Sequence, residues 1–138
     1  MSEKLKALVV HADPAETGPV AKMLQDTNFD VEHAPHGPAA FAAMLRSRFD
    51  LIVTDIKLHR LDGFHVIQAA RDLNIPAKII AFSGKLGRAS ARGVLDIAKR
   101  AGAHETVERP HKPAHLWKLL RNMFPQKILD RRKEPRNP

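Results

Sequence analysis

Cysteine and tyrosine are absent from this 138-residue sequence, and there is one tryptophan. Without cysteine there is no disulfide scaffold, no thiol nucleophile and no zinc site built on sulfur, and the usage suits a reducing compartment. No apolar run approaches the ~18–20 residues that a membrane-spanning helix needs. Met1-Ser2-Glu3-Lys4 lacks the apolar run of a secretory signal. The expectation is a cytoplasmic protein with no membrane contact. Aromatics amount to 5%, which leaves little for stacking on nucleic-acid bases. What is present is 43% hydrophobic and 28% charged residues, enough for one packed domain and too apolar for a disordered chain.

The net charge of +8 is divided unevenly. Residues 1–84 carry 9 Lys/Arg against 10 Asp/Glu, and residues 85–138 carry 14 against 5. The first part is therefore near neutral, and the excess lies downstream. The stretch from Lys127 to Pro138 holds Lys127, Arg131, Arg132, Lys133 and Arg136. It reads as a basic tail, which divides the chain into a domain over 1–124 and a flexible segment over 125–138.

Hydrophobic periodicity alternates between strand and helix. Ala7 to Val10, Leu51 to Thr54 and Lys78 to Phe82 are short continuous apolar runs, as expected of parallel strands buried on both faces. Phe29 to Ala34 and Glu105 to Val107 are weaker strands. Between them, Val20, Met23 and Leu24; Phe41, Met44 and Leu45; Val66, Ile67 and Ala70; Val94, Leu95 and Ala98; and Leu116, Leu120 and Met123 fall at helical spacing. Gly18-Pro19 predicts that the first helix starts late or bends at its start. The pattern predicts an α/β fold: a five-stranded parallel sheet sandwiched by five helices, doubly wound and flavodoxin-like. In such a sheet ligands bind beyond the carboxyl ends of the strands.

Those ends carry the chemistry. The first strand runs into His11-Ala12-Asp13, the third into Asp55, the fourth into Ser83 and the fifth into Arg109-Pro110. A carboxylate, a hydroxyl and a cation on one rim suit a phosphoryl group, with the carboxylate as acceptor and the other two on its oxygens. Taken singly, each is an ordinary polar loop residue; their order along the chain gives the set its weight.

The ordered set resembles the receiver domain of two-component response regulators, from about Lys6 to Met123. The resemblance rests on Leu8-Val9-Val10 before Asp13-Pro14, on Asp50 to Asp55 followed by Leu61-Asp62-Gly63, on Ile79 to Gly84, and on Ala101-Gly102-Ala103 leading to Arg109-Pro110. It implies a phosphoacceptor at Asp55, a responsive hydroxyl at Ser83, a cis peptide before Pro110, and no enzymatic turnover of its own. The departures matter equally. The two adjacent acids with which receivers usually end the first strand are His11 and Ala12 here, with Asp13 one place further on. Mg²⁺ wants oxygen ligands including carboxylates, so Asp55, the carbonyl near Lys57 and at best Asp13 predict weak or absent Mg²⁺ binding. The usual lysine is Arg109, whose planar fork is not equivalent to an ammonium. The usual aromatic switch residue is Thr106, and the segment between Ser83 and Gly102 is a few residues longer than usual.

The resemblance implies a single-domain receiver in a phosphorelay, working by protein contact with a histidine kinase, a phosphotransfer protein or another acidic partner, and possible pairing of two copies through the fourth helix, fifth strand and fifth helix. That face supplies Lys85, Arg88, Arg92, Lys99, Arg100, Lys112, Lys118 and Arg121. A solvated charged surface is the plain alternative. A nucleic-acid module is disfavoured, because no DNA-reading motif follows. An enzyme with an Asp nucleophile is disfavoured because Lys57 stands where a second acid would be needed. His111 with His115, and His33 with His36, lack a third metal ligand at a recognisable spacing. Gly84-Lys85-Leu86-Gly87 lacks the spacing of a phosphate-binding loop.

Overall fold

The computed structural model describes residues 4–11, 14–57, 62–83, 91–109, 111–125 and 135. Among these residues five strands, β1 (Leu5–Val10), β2 (Phe29–Ala34), β3 (Leu51–Asp55), β4 (Lys78–Ser83) and β5 (Glu105–Glu108), alternate with five helices. The helices are α1 (Pro14–Asp26), α2 (Gly37–Arg46), α3 (Gly63–Asp72), α4 (Ala91–Ala101) and α5 (Pro113–Met123). Every strand pair is parallel and the sheet order is β2-β1-β3-β4-β5. The order reverses at β1 and β3, which places the switch point between them.

Strand alternation divides the core in two. Leu8, Val10, Ile52, Ile79 and Ala81 join Ala40, Val66, Ile67, Leu95 and Ala98 on the side of α2, α3 and α4. Ala7, Val9, Leu51, Val53, Ile80 and Phe82 join Val20, Leu24, Leu116 and Leu120 on the side of α1 and α5. Both faces of each central strand are thus buried, which is why these strands are continuous apolar runs with no polar alternation.

The first helix departs from the sequence expectation. It begins at Pro14 and continues through Pro19, so it does not start late. Pro19 lies past the four amides that a helix start leaves free, so it forgoes one bond, to the carbonyl of Ala15, and the helix continues across that loss. Ala12 and Asp13, the turn at Leu61, the Gly84 to Gly87 segment with Lys85 and Arg88, Pro110 with its expected cis peptide, and the tail save Pro125 and Pro135 lie outside the described residues. Among the described residues no helix is long and apolar enough to cross a membrane.

The rim at the amino ends of the strands is tied by side chains from distant positions. The Lys78 ammonium donates to the Met123 carbonyl at 2.7 Å and lies 5.3 Å from the centre of the Phe124 ring, which meets Phe29 edge-on at 5.4 Å. This fixes the end of α5 against the sheet. Nearby, His104 Nδ1 accepts from the Ile79 amide at 3.0 Å and has the Arg71 guanidinium at 3.3 Å. Arg71 also donates to the Gly102 carbonyl at 2.7 Å. Gly102 has φ +132°, which favours glycine at the turn out of α4, and a Cβ there would also press on the Arg71 side chain, 2.8 Å from its Nε.

With an amide and a guanidinium both directed at Nδ1, His104 has to be neutral there to accept. Partial burial lowers its pKa from the ordinary value, and the charges of Arg71 and Lys78 lower it further. A histidine with a lowered folded pKa favours folding in its neutral form. That contribution is complete above the unfolded value of about 6.5 and is lost as pH falls from there through the folded value. His104→Asn puts a non-titrating amide oxygen near the place of Nδ1. In urea unfolding at about pH 7.5 and about pH 5.5, the wild-type midpoint should drop further than that of His104→Asn. Equal drops would refute the assignment.

Candidate functional site

Register places the site. Val10 pairs with Thr54, so His11 and Asp55 are each one residue beyond a matched pair. Asp55 pairs with Phe82, and Ser83 with Glu108, so Arg109 is again one residue beyond. His11, Asp55, Phe82 and Arg109 also share strand parity with Val9, Val53, Ile80 and Val107, all of which face α1 and α5. The four therefore converge at the carboxyl rim on that side of the sheet.

Asp55 is 8% exposed. One of its oxygens, Oδ1, accepts from Arg109 Nη1. The other, Oδ2, lies 3.6 Å from His11 Nε2. A buried carboxylate is costly unless paired, and here a guanidinium takes one edge while an imidazole nitrogen stands near the other, beyond hydrogen-bond distance. Arg109 is itself held in place. Its amide donates to the Ser83 carbonyl at 3.0 Å, and its guanidinium carbon lies 5.1 Å from the centre of the Phe82 ring. His111 meets the same ring edge-on at 5.1 Å. A lysine would pair with Asp55 as a point charge, whereas the planar arginine can stack on Phe82 while it pairs.

The cavity at this cluster is small, about 10 Å³, and its lining adds Val9, Val10, Val20 and Val53 to the four residues named. That is room for roughly one water. Ser83 is buried and closes β4, but it shares the parity of Ala81 and is not part of that lining. Lys57 is exposed two residues beyond Asp55. Thr106 is half-buried in β5 opposite Ala81. Among the described residues no group of three or more His, Cys, Asp or Glu could hold a metal ion.

Phe82 and His111 were not legible as site residues in the sequence. Phe82 reads as one more apolar strand residue, and only its pairing with Asp55 reveals a platform for Arg109. Another unread histidine is His36, which caps α2 by accepting the Ala39 amide on Nδ1 at 3.0 Å. Histidine is not among the usual capping residues, so no local signal pointed to it.

Residues 7–121 match the family described as the response regulator receiver domain. Among curated proteins, the transcriptional regulatory protein RprY of Bacteroides fragilis is 33% identical over 85 residues, 62% of this chain and 36% of that protein. The probable transcriptional regulator ycf29 of Porphyra purpurea is 26% identical over 118 residues, 85% of this chain and 55% of that protein. The chain thus spans only about a third to a half of the curated relatives it matches. Among solved structures, the chemotaxis protein CheY4 of Vibrio cholerae superposes with a TM-score of 0.75 and 25% identity, covering 87% of this chain and 98% of that one. The five parallel strands and five helices form the fold of these CheY-like receivers.

One glycine fixes the loop beside Asp55. The Ile56 amide donates to the Phe82 carbonyl at 3.0 Å, and the Gly63 amide donates to the Ile56 carbonyl at 2.8 Å. Asp62 caps α3 by accepting the His65 amide at 3.1 Å. A Cβ on Gly63 would lie 2.2 Å from the Asp55 carbonyl oxygen and 2.7 Å from the Ile56 Cα. Both are backbone atoms and cannot swing aside. Gly63→Ala should therefore lower stability by about 1–3 kcal/mol, as overpacking does. A thermal midpoint unchanged from wild type would show that the loop can give.

Proposed function

The chain belongs to the response regulator receiver domain family, and from that premise we propose that it is an atypical receiver whose Asp55, in the phosphoacceptor position, is neutralised by protein side chains and not by Mg²⁺. The observation that supports this is the pairing of Asp55 with Arg109, which donates to one carboxylate oxygen, while His11 Nε2 stands 3.6 Å from the other. Mg²⁺ prefers near-octahedral oxygen ligands. Among the described residues at this rim the donors are the Asp55 carboxylate, already paired, the backbone carbonyl of Lys57, and an imidazole nitrogen where the family has an acid. That set does not fit the ion. Phosphoryl transfer relies on charge neutralisation by the metal at the transferring oxygens, so ordinary Mg²⁺-dependent phosphorylation of Asp55 is expected to fail. Signalling then runs through the pairing state of Asp55 and Arg109, with Ser83 linked to Arg109 through its backbone carbonyl.

Receivers exchange signals with histidine kinases and phosphotransfer proteins in the cytoplasm, and the charge distribution here fits an acidic partner surface. Arg92, Lys99, Arg100, Lys112 and Lys118 are all exposed on α4 and at or along α5. Such a surface acts first on the rate and orientation of encounter. A chance counterion-type attraction to nucleic acid would be strongest at low salt, so random duplex DNA at ~50 mM salt should give no gel shift.

The decisive measurement is intact mass after incubation with acetyl phosphate and Mg²⁺. No stoichiometric phosphoryl adduct is expected. A stoichiometric adduct that disappears in Asp55→Asn would overturn the proposal. Conversely, His11→Asp combined with Ala12→Asp should create saturable Mg²⁺ binding by calorimetry, which the wild-type chain should lack.

A further inference from the structure

The outer face of α2 has the wrong chemistry for a solvated surface. The helix packs on β1, on the edge strand β2 and beside α3. Its inner residues Ala40, Ala43 and Met44 are buried in the core. Pro38, Phe41, Ala42 and Leu45 fall at i, i+3, i+4 and i+7, a single helical stripe, and all four are exposed. Arg46 is the one charged or polar side chain among the ten residues of α2. A helix that is apolar all round belongs in a core, yet α2 lies in the outer layer. We propose that this stripe is a docking surface for an acidic amphipathic helix of a partner protein.

Three observations carry the assignment. The first is contrast. Outward positions of α1 hold Lys22 and Asp26, those of α3 hold Gln68 and Asp72, and those of α5 hold Lys118 and Asn122. On α4 the exposed Ile97 stands among Asp96, Lys99 and Arg100. Among the described residues α2 alone exposes two large apolar side chains, Phe41 at 40% and Leu45 at 63%. The second is shape. The stripe runs seven residue steps, about 10 Å, which matches two turns of a helix laid along it. The third is charge. No Asp or Glu occurs from His33 to Phe49, a stretch that holds His33, His36, Arg46 and Arg48. Arg46 is paired with Glu32 of β2, and Arg48 is exposed just beyond the helix. A second copy laid on α2 in either direction would bring no acid of its own α2 to Arg48. A helix with carboxylates beside its apolar stripe answers both the stripe and its basic frame.

The stripe lies on the other side of the sheet from the Asp55 cluster. α2 shares its core with α3 and α4, whereas the cavity at Asp55 is lined from α1 by Val20. The stripe also differs in kind from the basic surface of α4 and α5, which offers charge with little apolar area. Docking at α2 therefore stands whether or not Asp55 accepts a phosphoryl group.

Two fluorescent helical peptides with the same glutamate-rich face test this. One carries leucine at i, i+3, i+4 and i+7, and the other carries alanine at those places. Anisotropy with the full chain should show saturable binding of the leucine peptide, about tenfold or more tighter than the alanine peptide. Phe41→Gln with Leu45→Gln should erase that difference, and Leu45→Gln alone, at the more exposed position, should reduce it. An unchanged thermal midpoint checks that these surface variants fold. Arg48→Glu should weaken the leucine peptide severalfold. The basic surface of α4 and α5 would take both peptides alike, so equal affinities would overturn the proposal, as would binding indifferent to the α2 substitutions or to Arg48→Glu. Two outcomes would overturn it in favour of another occupant. Dimerisation in sedimentation, lost in Phe41→Gln with Leu45→Gln, would assign the stripe to a second copy. Binding to phosphatidylserine vesicles, lost in the same variant, would assign it to a lipid surface.

Discussion

A carboxylate buried at the end of a central strand has to be compensated, and at Asp55 the compensation comes from the fold itself. Arg109 reaches it from a strand end 54 residues away, and His11 from β1 on the other flank. Neither contact is local. Both depend on three parallel registers that bring the strand ends level and on a shared parity that turns them to the same face of the sheet. A slip of one residue in β3 would exchange Asp55 for Thr54 at this rim and turn the carboxylate into the opposite core. The apolar packing that sets the register and the polar cluster that gives the rim its chemistry are thus one constraint seen from two ends.

Much of this could be read before any coordinates. Leu51 to Thr54 and Lys78 to Phe82 suit buried parallel strands because they are short, continuous apolar runs, too short for a helix and bounded by turn residues. Once strands are placed, the carboxyl-end rule alone brings His11, Asp55, Ser83 and Arg109 together as candidates. What stayed hidden depends on register or on unusual local choices. Phe82 as the platform for Arg109 requires knowing that it pairs with Asp55. His104 as the acceptor for the Ile79 amide joins residues 25 apart in sequence and leaves no periodic trace. His36 as a helix cap runs against the ordinary preference. The start of α1 was misjudged because Pro19 was read as a barrier to the helix, whereas α1 continues across it at the loss of one backbone bond.

The two rims of the sheet are built for different ends. At the amino rim, Lys78, Arg71 and His104 donate to or accept from backbone groups, tying α3, α4, α5 and β4 through contacts that satisfy the chain itself. At the carboxyl rim, side chains meet side chains, and the backbone of the Asp55 loop is held separately by Gly63 and Ile56. On the proposed reading, the Arg109–Asp55 pairing changes without unfastening the backbone that carries Asp55, so stability lies in backbone closure and response in the side-chain cluster.

Exchanging a metal for side chains changes what such a cluster can do. A divalent ion supplies charge that leaves when it dissociates, so a pocket that depends on it is empty of compensation in its absence. An arginine stacked on Phe82 is present at all times and at fixed stoichiometry, and its desolvation was met on folding. Under the proposal above, the pocket is in that sense already in its neutralised state. Any anion that arrives competes with Asp55 for Arg109, and any partner that draws Arg109 away leaves Asp55 buried against an imidazole alone, which is costly. On the proposed reading the receptive element is then the arginine more than the aspartate. That reading also recasts the sequence's basic excess: the positions His11 and Ala12, where receivers usually carry two acids, account for part of the charge balance and leave Arg109 as the partner of the carboxylate.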